Sequence, residues 1–308
     1  MKISIILSIY NGEKYLVEQL DSIRLQKRRS DEVLIFDDCS TDSSYSLVDE
    51  YIKEFHLTHW ILKRNIVNKG WKRNFHDGVL LCTGDIIFLS DQDDIWSIDK
   101  LFDIEKIMNE NDYINVLATY YSEFSNNGLI KKCFNNIDNS ICQMDYNNRF
   151  FRVPFPGCTF CLRRKYIEKI NKFWKTEYSH DAFLWRISMI DGTAYFLKKV
   201  LISQRKHYDS AFQADNRKSR NFHGKLKGIE LDLKTLRSIE DYINSINISD
   251  KNSRLLRLEQ YKKWCKLRKK FYLSKNPLIG IVLLLYLNYY SKNKQYFGDW
   301  VITYFWKV

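Results

Sequence analysis

The feature that most restricts the fold of this chain is the regular alternation of short apolar segments with longer amphipathic segments over its first ninety residues. The apolar segments are rich in Ile, Val, Leu and Phe, which is typical of buried strands. Strands that alternate with helices of this length predict right-handed βαβ units and a parallel sheet. The predicted strands are residues 2–9, 32–36, 59–62 and 85–89, and the predicted helices are residues 13–25, 43–55 and 71–81.

The fourth predicted strand ends in an acidic segment. Asp91, Asp93 and Asp94 follow it within four positions, at the carboxyl edge where open α/β sheets bind ligands. Carboxylates this close disfavour one another's ionised form, and a divalent cation that prefers oxygen ligands, such as Mg²⁺ or Mn²⁺, relieves that conflict. The alternative interpretation is a solvated acidic turn before a helix that begins near Ser97.

Four sequence blocks at and between the strand ends carry a family resemblance. They are Ser8-Ile9-Tyr10-Asn11-Gly12; Asp37-Asp38-Cys39-Ser40-Thr41-Asp42; Asn68-Lys69-Gly70 with Asn74; and Gly84-Asp85 followed by Asp91-Gln92-Asp93-Asp94-Ile95-Trp96. In order and spacing these blocks resemble family 2 glycosyltransferases of the GT-A fold. The resemblance is strong to about residue 105 and continues more weakly through Gly157-Cys158-Thr159, His180-Asp181 and Arg205-Lys206-His207. The acidic block resembles a subgroup rich in bacterial rhamnosyltransferases and related surface-polysaccharide enzymes.

The resemblance implies a site for a nucleoside-diphosphate sugar and a divalent metal, Mn²⁺ or Mg²⁺. In this family pattern Asp38 accepts the pyrimidine N3–H, Tyr10 stacks on the base, Asp93 is the principal metal ligand and Arg205 is a phosphate clamp. The implied donor-binding residues are Ser8, Tyr10, Asp38, Asn68, Arg73, Asp91, Gln92 and Arg205, and the implied metal ligands are Asp93 and His207.

Several of these assignments have plain structural alternatives. Tyr10 is equally compatible with a core position, and Asn68 and Arg73 with helix capping and a solvated basic face. Asp94 fits a structural role at the start of the following turn. A single histidine such as His207 is more often a satisfied surface or core residue than a ligand.

The resemblance places the catalytic carboxylate at Asp181, in the first turn of a helix, with His180 as its neighbour. A carboxylate opposite the leaving group takes the proton of the acceptor hydroxyl as the new bond forms, so the implied reaction inverts the anomeric centre without a covalent intermediate. The alternative is that Asp181 only complements the helix dipole, which contributes about 0.3–1 kcal/mol.

Length and charge predict one catalytic domain and a basic extension. The chain has 308 residues, of which 45% are hydrophobic, enough for a sizeable core. The predicted domains are residues 1–215, with a nucleotide-binding half (1–105) and an acceptor-binding half (106–215), and residues 216–308. The formal charge of +12 is uneven, because residues 216–308 hold 20 Lys and Arg against 7 Asp and Glu, or +13.

The extension combines amphipathic helical spacing over 225–246, a basic stretch over 254–275 and an apolar stretch over 277–290. The last is shorter than the roughly 20 residues that a spanning helix needs. Basic residues beside aromatic and aliphatic ones favour a helix in an anionic membrane interface. Packing on the catalytic domain or on a second subunit remains the alternative.

Other classes fit the residues less well. A sugar-nucleotide nucleotidyltransferase requires a Gly-rich, basic phosphate loop after the first strand, which Tyr10-Asn11-Gly12-Glu13-Lys14 is not. A nucleic-acid-binding protein would explain the basic extension but not an acidic cluster at a sheet edge, so no nucleic-acid partner is expected. Seven scattered cysteines and no signal-peptide pattern favour reduced thiols and a cytoplasmic location. The CxxC spacing of Cys158 and Cys161 lacks a zinc or redox context.

The sequence thus predicts an α/β GT-A fold with a helical basic extension. It favours an inverting, metal-dependent transferase that moves a sugar from dTDP-rhamnose, or next a UDP-sugar, to a saccharide or lipid-linked acceptor at the inner face of a bacterial plasma membrane.

Overall fold

A computed structural model describes residues 1–125, 128–132, 134, 136–147, 150–207, 221–290 and 292–305. The chain forms two compact units. The N-terminal unit comprises residues 1–145 and 153–207, and the C-terminal unit comprises residues 146–152 and 208–308. The predicted domain boundary after residue 215 lies outside the described residues, and the division into donor and acceptor halves stays a prediction. No sequence pattern indicated that residues 146–152 group with the C-terminal helices.

One mixed sheet forms the N-terminal unit. Its strands are β1 (Ile3–Ile9), β2 (Glu32–Asp37), β3 (Trp60–Arg64), β4 (Ile86–Ser90), β5 (Ile95–Trp96), β6 (Val116–Ser125), β7 (Gly128–Lys132), β8 (Ile141–Gln143), β9 (Cys161–Arg163) and β10 (Ala194–Arg205). The order is β3-β2-β1-β4-β9-β6-β10-β5, with β7 beside β6 and β8 beside β10. Strands β1 to β4 pair in parallel, whereas β9 runs antiparallel to both β4 and β6. This architecture confirms the predicted fold class.

Helices cover the sheet of the N-terminal unit. They are α1 (Glu13–Arg24), α2 (Ser44–Glu54), α3 (Trp71–Leu81), α4 (Lys100–Glu110), α5 (Arg164–Ile170) and α6 (His180–Ile190). Strand β1 is apolar along nearly its whole length because both of its faces are buried. Since β1, β2 and β4 run in parallel and in register, their carboxyl ends meet at one edge of the sheet, as the sequence predicted.

Helices make up most of the described part of the C-terminal unit. Its helices are α7 (Phe222–Ser245), α8 (Lys251–Ser274), α9 (Pro277–Val282) and α10 (Asn293–Phe305), with a 3-10 segment, Leu283–Tyr289, between α9 and α10. Its core contains Arg268, whose guanidinium makes two hydrogen bonds to Asp299, at 2.7 and 2.9 Å. No described helix combines the length and the apolar composition needed to cross a bilayer.

Candidate active site

Gln92 joins the ends of two neighbouring strands at the carboxyl edge. Its Oε1 accepts from the backbone N–H of Tyr10 at 2.7 Å, and its Nε2 donates to the carbonyl oxygen of Tyr10 at 3.1 Å. The Tyr10 side chain is 46% exposed, so the alternative of a core tyrosine is wrong. The ring is available to a ligand at the edge where the sequence placed the base, although stacking itself stays a prediction.

The acidic loop between β4 and β5 is held by the end of β10. The backbone N–H of Arg205 donates to Asp94 Oδ1 at 3.1 Å, and Arg205 Nε donates to the carbonyl oxygen of Asp93 at 3.0 Å. Asp94 is buried, and its Oδ2 has no hydrogen-bond partner among the described residues. The predicted structural role for Asp94 therefore has a physical basis, because this carboxylate ties the loop to β10.

The loop carboxylates are electrostatically strained. Burial, and after it the neighbouring Asp93 carboxylate, raises the pKa of Asp94 to about 7. Burial also raises the pKa of Asp91, and the carboxylates of Asp94, Asp93 and Asp181 add to the effect. This is the condition that a bound cation relieves, since each negative charge then gains a positive partner.

A buried lysine behind the loop was not predicted from the sequence. Lys100 donates from Nζ to the Cys158 carbonyl oxygen at 3.0 Å and lies over the Trp96 ring, 3.4 Å from its centroid. Burial lowers the pKa of Lys100 to about 7, and the nearby Asp94 opposes the shift. The sequence did contain a signal for this burial. Lys100 lies four residues before Ile104 and eight before Met108, so the helical period places it on the same buried face.

His207 returns to the acidic loop, as the resemblance implied. Its Nε2 lies 2.5 Å from Asp93 Oδ2, and both side chains are mostly buried. The imidazole ring also contacts the Tyr15 ring, with 5.1 Å between the centroids. The structure thus brings together the two side chains that were predicted to share a metal.

The donor atoms around the loop fit a hard divalent cation. Asp91, Asp94 and Cys158 each offer a ligand atom within 4.8 Å of the others. Burial, followed by the Asp94 and Asp91 charges, raises the pKa of the Cys158 thiol. The thiol therefore stays protonated and soft, unsuited to Mg²⁺ or Mn²⁺. The carboxylates and the imidazole of His207 are the ligands that suit these ions, and the unpartnered Oδ2 of Asp94 is a buried acceptor beside them.

Asp38 organises the loop that precedes α3. Its Oδ1 accepts from Asn65 Nδ2 and from the backbone N–H of Lys69, and its Oδ2 accepts from the backbone N–H of Gly70, all at 2.8 Å. The Asp38 carboxylate is buried. The Asp37 carboxylate has other partners: it accepts from the Ser40 N–H and pairs with Arg64. Base recognition by Asp38 stays a prediction, and the structure adds that the same carboxylate shapes the loop.

Three other residues that were predicted to bind the nucleotide-sugar donor make contacts within the protein. Asn68 Nδ2 donates to the Asp38 carbonyl oxygen at 3.0 Å, and Ser8 Oγ accepts from Asn74 Nδ2 at 2.7 Å. Arg73 is exposed and pairs with Asp77, four residues along α3, at 2.7 Å. These contacts match the structural alternatives for Asn68 and Arg73 and leave their donor roles as predictions.

Asp181 stands at the start of α6, near the acidic loop. Its Oδ1 accepts from the Ser179 hydroxyl and from the backbone N–H of Ala182, and its charge acts on the pKa of Asp91. His180 is instead buried, with its ring stacked on Phe75 at 4.2 Å, and burial lowers its pKa to about 4. A histidine with this pKa and no access is a poor base, so Asp181 is the better candidate at this helix end.

Arg205 has a different environment from that of an open phosphate clamp. Its guanidinium lies between the Tyr15 and Phe124 rings, 4.5 and 4.4 Å from their centroids, and Nη2 pairs with Glu18 at 2.6 Å. The side chain is almost fully buried. These contacts position the acidic loop and β10, and direct phosphate binding by Arg205 stays a prediction.

Comparison with protein families identifies the family to which the chain belongs. Residues 4–170 match the model described as "Glycosyl transferase family 2". The chain belongs to this family. It is a glycosyltransferase that uses nucleotide sugars.

Two relatives extend the match beyond the family model. The dTDP-rhamnosyl transferase RfbG of Shigella flexneri is 30% identical over 225 residues, which cover 68% of this chain and 74% of RfbG. The GalNAc(5)-diNAcBac-PP-undecaprenol beta-1,3-glucosyltransferase of Campylobacter jejuni is 24% identical over 65% of this chain and 63% of its own length. Homologues of this chain act in bacterial polysaccharide synthesis.

A solved structure shows the same fold. The crystal structure of S. aureus TarS 1-349 in complex with UDP-GlcNAc aligns with 99% of this chain and 89% of the TarS chain, with a TM-score of 0.66 and 16% sequence identity. This similarity confirms the GT-A architecture.

Proposed function

We propose that this glycosyltransferase is inverting and metal-dependent and moves a sugar, with rhamnose favoured, from a pyrimidine nucleoside diphosphate to a saccharide or lipid-linked acceptor in bacterial surface-polysaccharide synthesis. The observation that carries the proposal is the contact between Asp93 and His207 beside Asp91, at the sheet edge to which Asp181 is electrostatically coupled. The arrangement supplies metal ligands and a separate carboxylate base.

Each group has a distinct part in the proposed reaction. Asp93 and His207 would hold Mg²⁺ or Mn²⁺, which neutralises the leaving diphosphate when bound, and Asp91 would lie near the ribose or reach the metal through water. Asp181 accepts the proton of the acceptor hydroxyl as oxygen attacks the anomeric carbon, and the nucleoside diphosphate departs with the bonding electron pair. Buried Lys100 lies behind the carboxylates, and because burial lowers its pKa to about 7, it limits their mutual repulsion only while it is protonated.

The similarity to RfbG supports dTDP-rhamnose as the donor. The similarity to the C. jejuni glucosyltransferase, whose name includes an undecaprenol-linked acceptor, supports a lipid-linked saccharide. A UDP-hexose or UDP-N-acetylhexosamine is the second candidate donor, because the structural relative TarS has been solved with UDP-GlcNAc.

Donor hydrolysis tests the activity directly. We expect the protein with Mn²⁺ to release nucleoside diphosphate slowly from dTDP-rhamnose in the absence of acceptor, and faster than from UDP-glucose, UDP-galactose or UDP-N-acetylhexosamines. A thermal-shift comparison of the same donors reports binding, since a ligand at a hundred times its Kd stabilises by about 2.7 kcal/mol. Preference for a UDP-sugar would transfer the assignment to the second candidate, and inertness toward every donor would contradict the proposal.

The metal requirement is tested by comparing two aspartates. Asp93→Asn should abolish transfer and metal-dependent nucleotide binding, because Asp93 contacts His207 in the proposed metal site. Asp99→Asn is the matched control, because Asp99 pairs with Lys27 at the start of α4 and lies outside the loop. Full turnover by the native enzyme in EDTA would contradict metal dependence.

We also propose that the C-terminal unit attaches peripherally to the inner face of the plasma membrane. Helices α9 and α10 and the 3-10 segment expose large apolar side chains, an uncommon feature on a monomeric surface. This C-terminal apolar surface consists of Leu278, Ile281, Val282, Leu284, Leu285, Phe297, Val301 and Phe305. Lys275 precedes this surface along the chain and Lys292 lies between its two segments, which suits an anionic leaflet.

A further inference from the structure

The C-terminal unit contains a cavity that the proposed chemistry does not use. Its volume is about 530 Å³, within the range of small-molecule sites. Helices α7, α8 and α10, the end of the 3-10 segment and residues 151–152 form its walls.

Glycines keep two walls of the cavity open. Gly228 in α7 and Gly298 in α10 line it, and a Cβ atom added to either would meet nothing within 4 Å. Gly280 shows the contrast, since its Cβ would approach Trp300 at 2.4 Å and the residue is needed for helix packing. A glycine inside a helix costs about 1 kcal/mol relative to alanine, so Gly228 and Gly298 reduce helix stability without a packing gain.

The floor of the cavity is rigid. Asp299 pairs with Arg268 through two bonds, and the hydroxyls of Tyr272 and Tyr290 donate to its carboxylate at 2.7 and 2.9 Å. The guanidinium of Arg268 also lies over the Trp264 ring, 4.7 Å from its centroid. Because these contacts hold the aromatic side chains in place, the cavity presents a preorganised wall.

The lining combines aromatic rings with positive charge. Phe151, Tyr261, Trp264, Tyr289 and Tyr290 supply the rings. The Arg268–Asp299 pair is neutral, and the remaining charged lining residues are three cations, Arg152, Lys225 and Lys294, against one carboxylate, Asp232. Aromatic faces pack against the apolar faces of sugar rings, and lysine and arginine bind phosphate.

We propose that this cavity binds a sugar phosphate group of the acceptor. The inference rests on the proposed glycosyltransferase function and specifies its acceptor class as a phosphate-bearing saccharide. The phosphate contacts Lys294 and Arg152, and the sugar ring packs against the aromatic wall. The ligand is held by residues of the C-terminal unit alone.

The test uses the full-length protein and glucose 1-phosphate as the probe, with binding followed by ligand-observed NMR and calorimetry. We expect saturable binding that is stronger than that of inorganic phosphate or methyl glucoside. Gly298→Leu should weaken binding many-fold because its side chain occupies part of the cavity, while its Tm stays equal to or above that of the wild type because leucine is the better helix former. Lys294→Gln should weaken binding several-fold, whereas Lys263→Gln, on the exposed surface of α8, should leave it unchanged.

Other outcomes would overturn the proposal. Inorganic phosphate that binds as tightly as glucose 1-phosphate would indicate a simple anion site, and unchanged binding by Gly298→Leu would place the ligand elsewhere. Donor hydrolysis by the wild-type enzyme is measured in parallel. Hydrolysis without sugar phosphate binding would contradict the cavity proposal alone, and an enzyme that hydrolyses no donor would contradict the proposed function.

Discussion

At the scale of single residues, Asp181 and Asp94 illustrate two different uses of a carboxylate. Asp181 is partly accessible at a helix end, and its hydrogen bonds among the described residues come from its immediate neighbours Ser179 and Ala182. Asp94 is buried, bonds to the backbone of β10 and has an unpartnered oxygen among the described residues. The first is arranged to exchange a proton with a ligand, and the second is arranged to hold the acidic loop.

Asp181→Asn tests the proton-accepting role. The amide keeps the shape of the side chain but cannot accept the proton of the acceptor, so we expect kcat to fall by roughly 10²–10⁴-fold with little change in donor affinity. Single-turnover transfer and donor titration measure the two quantities separately. A variant that binds donor weakly but turns over at the native rate would show that Asp181 is a donor contact or a helix cap.

Asp94→Asn tests the electrostatic strain of the loop in metal-free protein. The pKa of Asp94 is raised to about 7 from 3.8, so between these pH values the folded state retains a proton that the unfolded state releases. Asp94 therefore lowers the free energy of unfolding as pH rises from about 4 to 7, by up to about 1.4 kcal/mol for each pH unit in that interval. We expect Asp94→Asn to raise the Tm in EDTA more at pH 8 than at pH 5.

The pH comparison reports the Asp94 charge, both directly and through its effect on the pKa values of Asp91 and Lys100, whereas a group that Asp94 does not influence, such as His180, contributes equally to both proteins. The lowered pKa of His180 has the opposite effect on stability, since protonation of this histidine below pH 6.5 favours unfolding. An equal difference in Tm at pH 5 and pH 8 would show that the Asp94 carboxylate is not strained.

At the scale of elements, the contact between the 3-10 turn Gly157–Thr159 and α6 positions the candidate base. A Cβ at Gly157 would lie 2.9 Å from His180 Nε2 and 3.0 Å from Asp181 Cβ. Since Gly157 and His180 are both buried, neither can move away without shifting its element. The close approach therefore fixes the start of α6 relative to the acidic loop.

Gly157→Ala should displace the start of α6 by a few tenths of an ångström and lower kcat by about tenfold or more, because catalysis depends on the alignment of the base. The Kd for the donor nucleotide should change little, since the substituted turn leaves Tyr10 and Gln92 in place. Calorimetry of nucleotide binding and the thermal unfolding of the variant are the controls. Native kcat in Gly157→Ala would show that α6 accommodates the methyl group and that its position is not critical.

The sequence predicted the elements that repeat a local pattern and missed those that depend on distant pairing. Strands β1 to β4 and helices α1 to α3 match the predicted segments within a few residues, because each carries its own apolar period. Strand β9 has only three residues and exists through its pairing with β4 and β6. The segment between residues 111 and 155 likewise contained no readable motif, although β6 there forms the centre of the second half of the sheet.

The candidate site divides in the same way. The meeting of Asp93 with His207 was implied by the family resemblance and is present in the structure. The burial of Lys100 and the enclosure of Arg205 by two aromatic rings depend on tertiary packing, which a charged residue in a sequence does not reveal. Residues whose role follows from position at a strand end were thus more predictable than those whose role follows from their surroundings.

At the scale of the whole molecule, the C-terminal unit combines the excess positive charge with exposed apolar side chains. The excess of +13 over residues 216–308 is joined by an apolar surface on which Leu285 is 83% and Phe305 81% exposed. An acceptor carried on a lipid would require the enzyme to work beside a bilayer, and this unit has the composition for attachment there. Oligomer formation through the same surface is the competing explanation.

Vesicle binding distinguishes the two explanations. We expect full-length protein to bind vesicles containing phosphatidylglycerol at low salt and to leave them as salt rises, because each basic residue near the surface contributes on the order of 1 kcal/mol that salt screens. The double substitution Leu278→Ser and Leu285→Ser should weaken binding by more than about tenfold, since each buried leucine side chain contributes roughly 1.5–3 kcal/mol. Phe102→Ser, at an exposed apolar position of α4 in the N-terminal unit, is the matched control and should bind as the wild type does. A protein that ignores anionic vesicles and forms a stable dimer, which the double substitution dissociates, would instead identify the C-terminal apolar surface as a subunit contact.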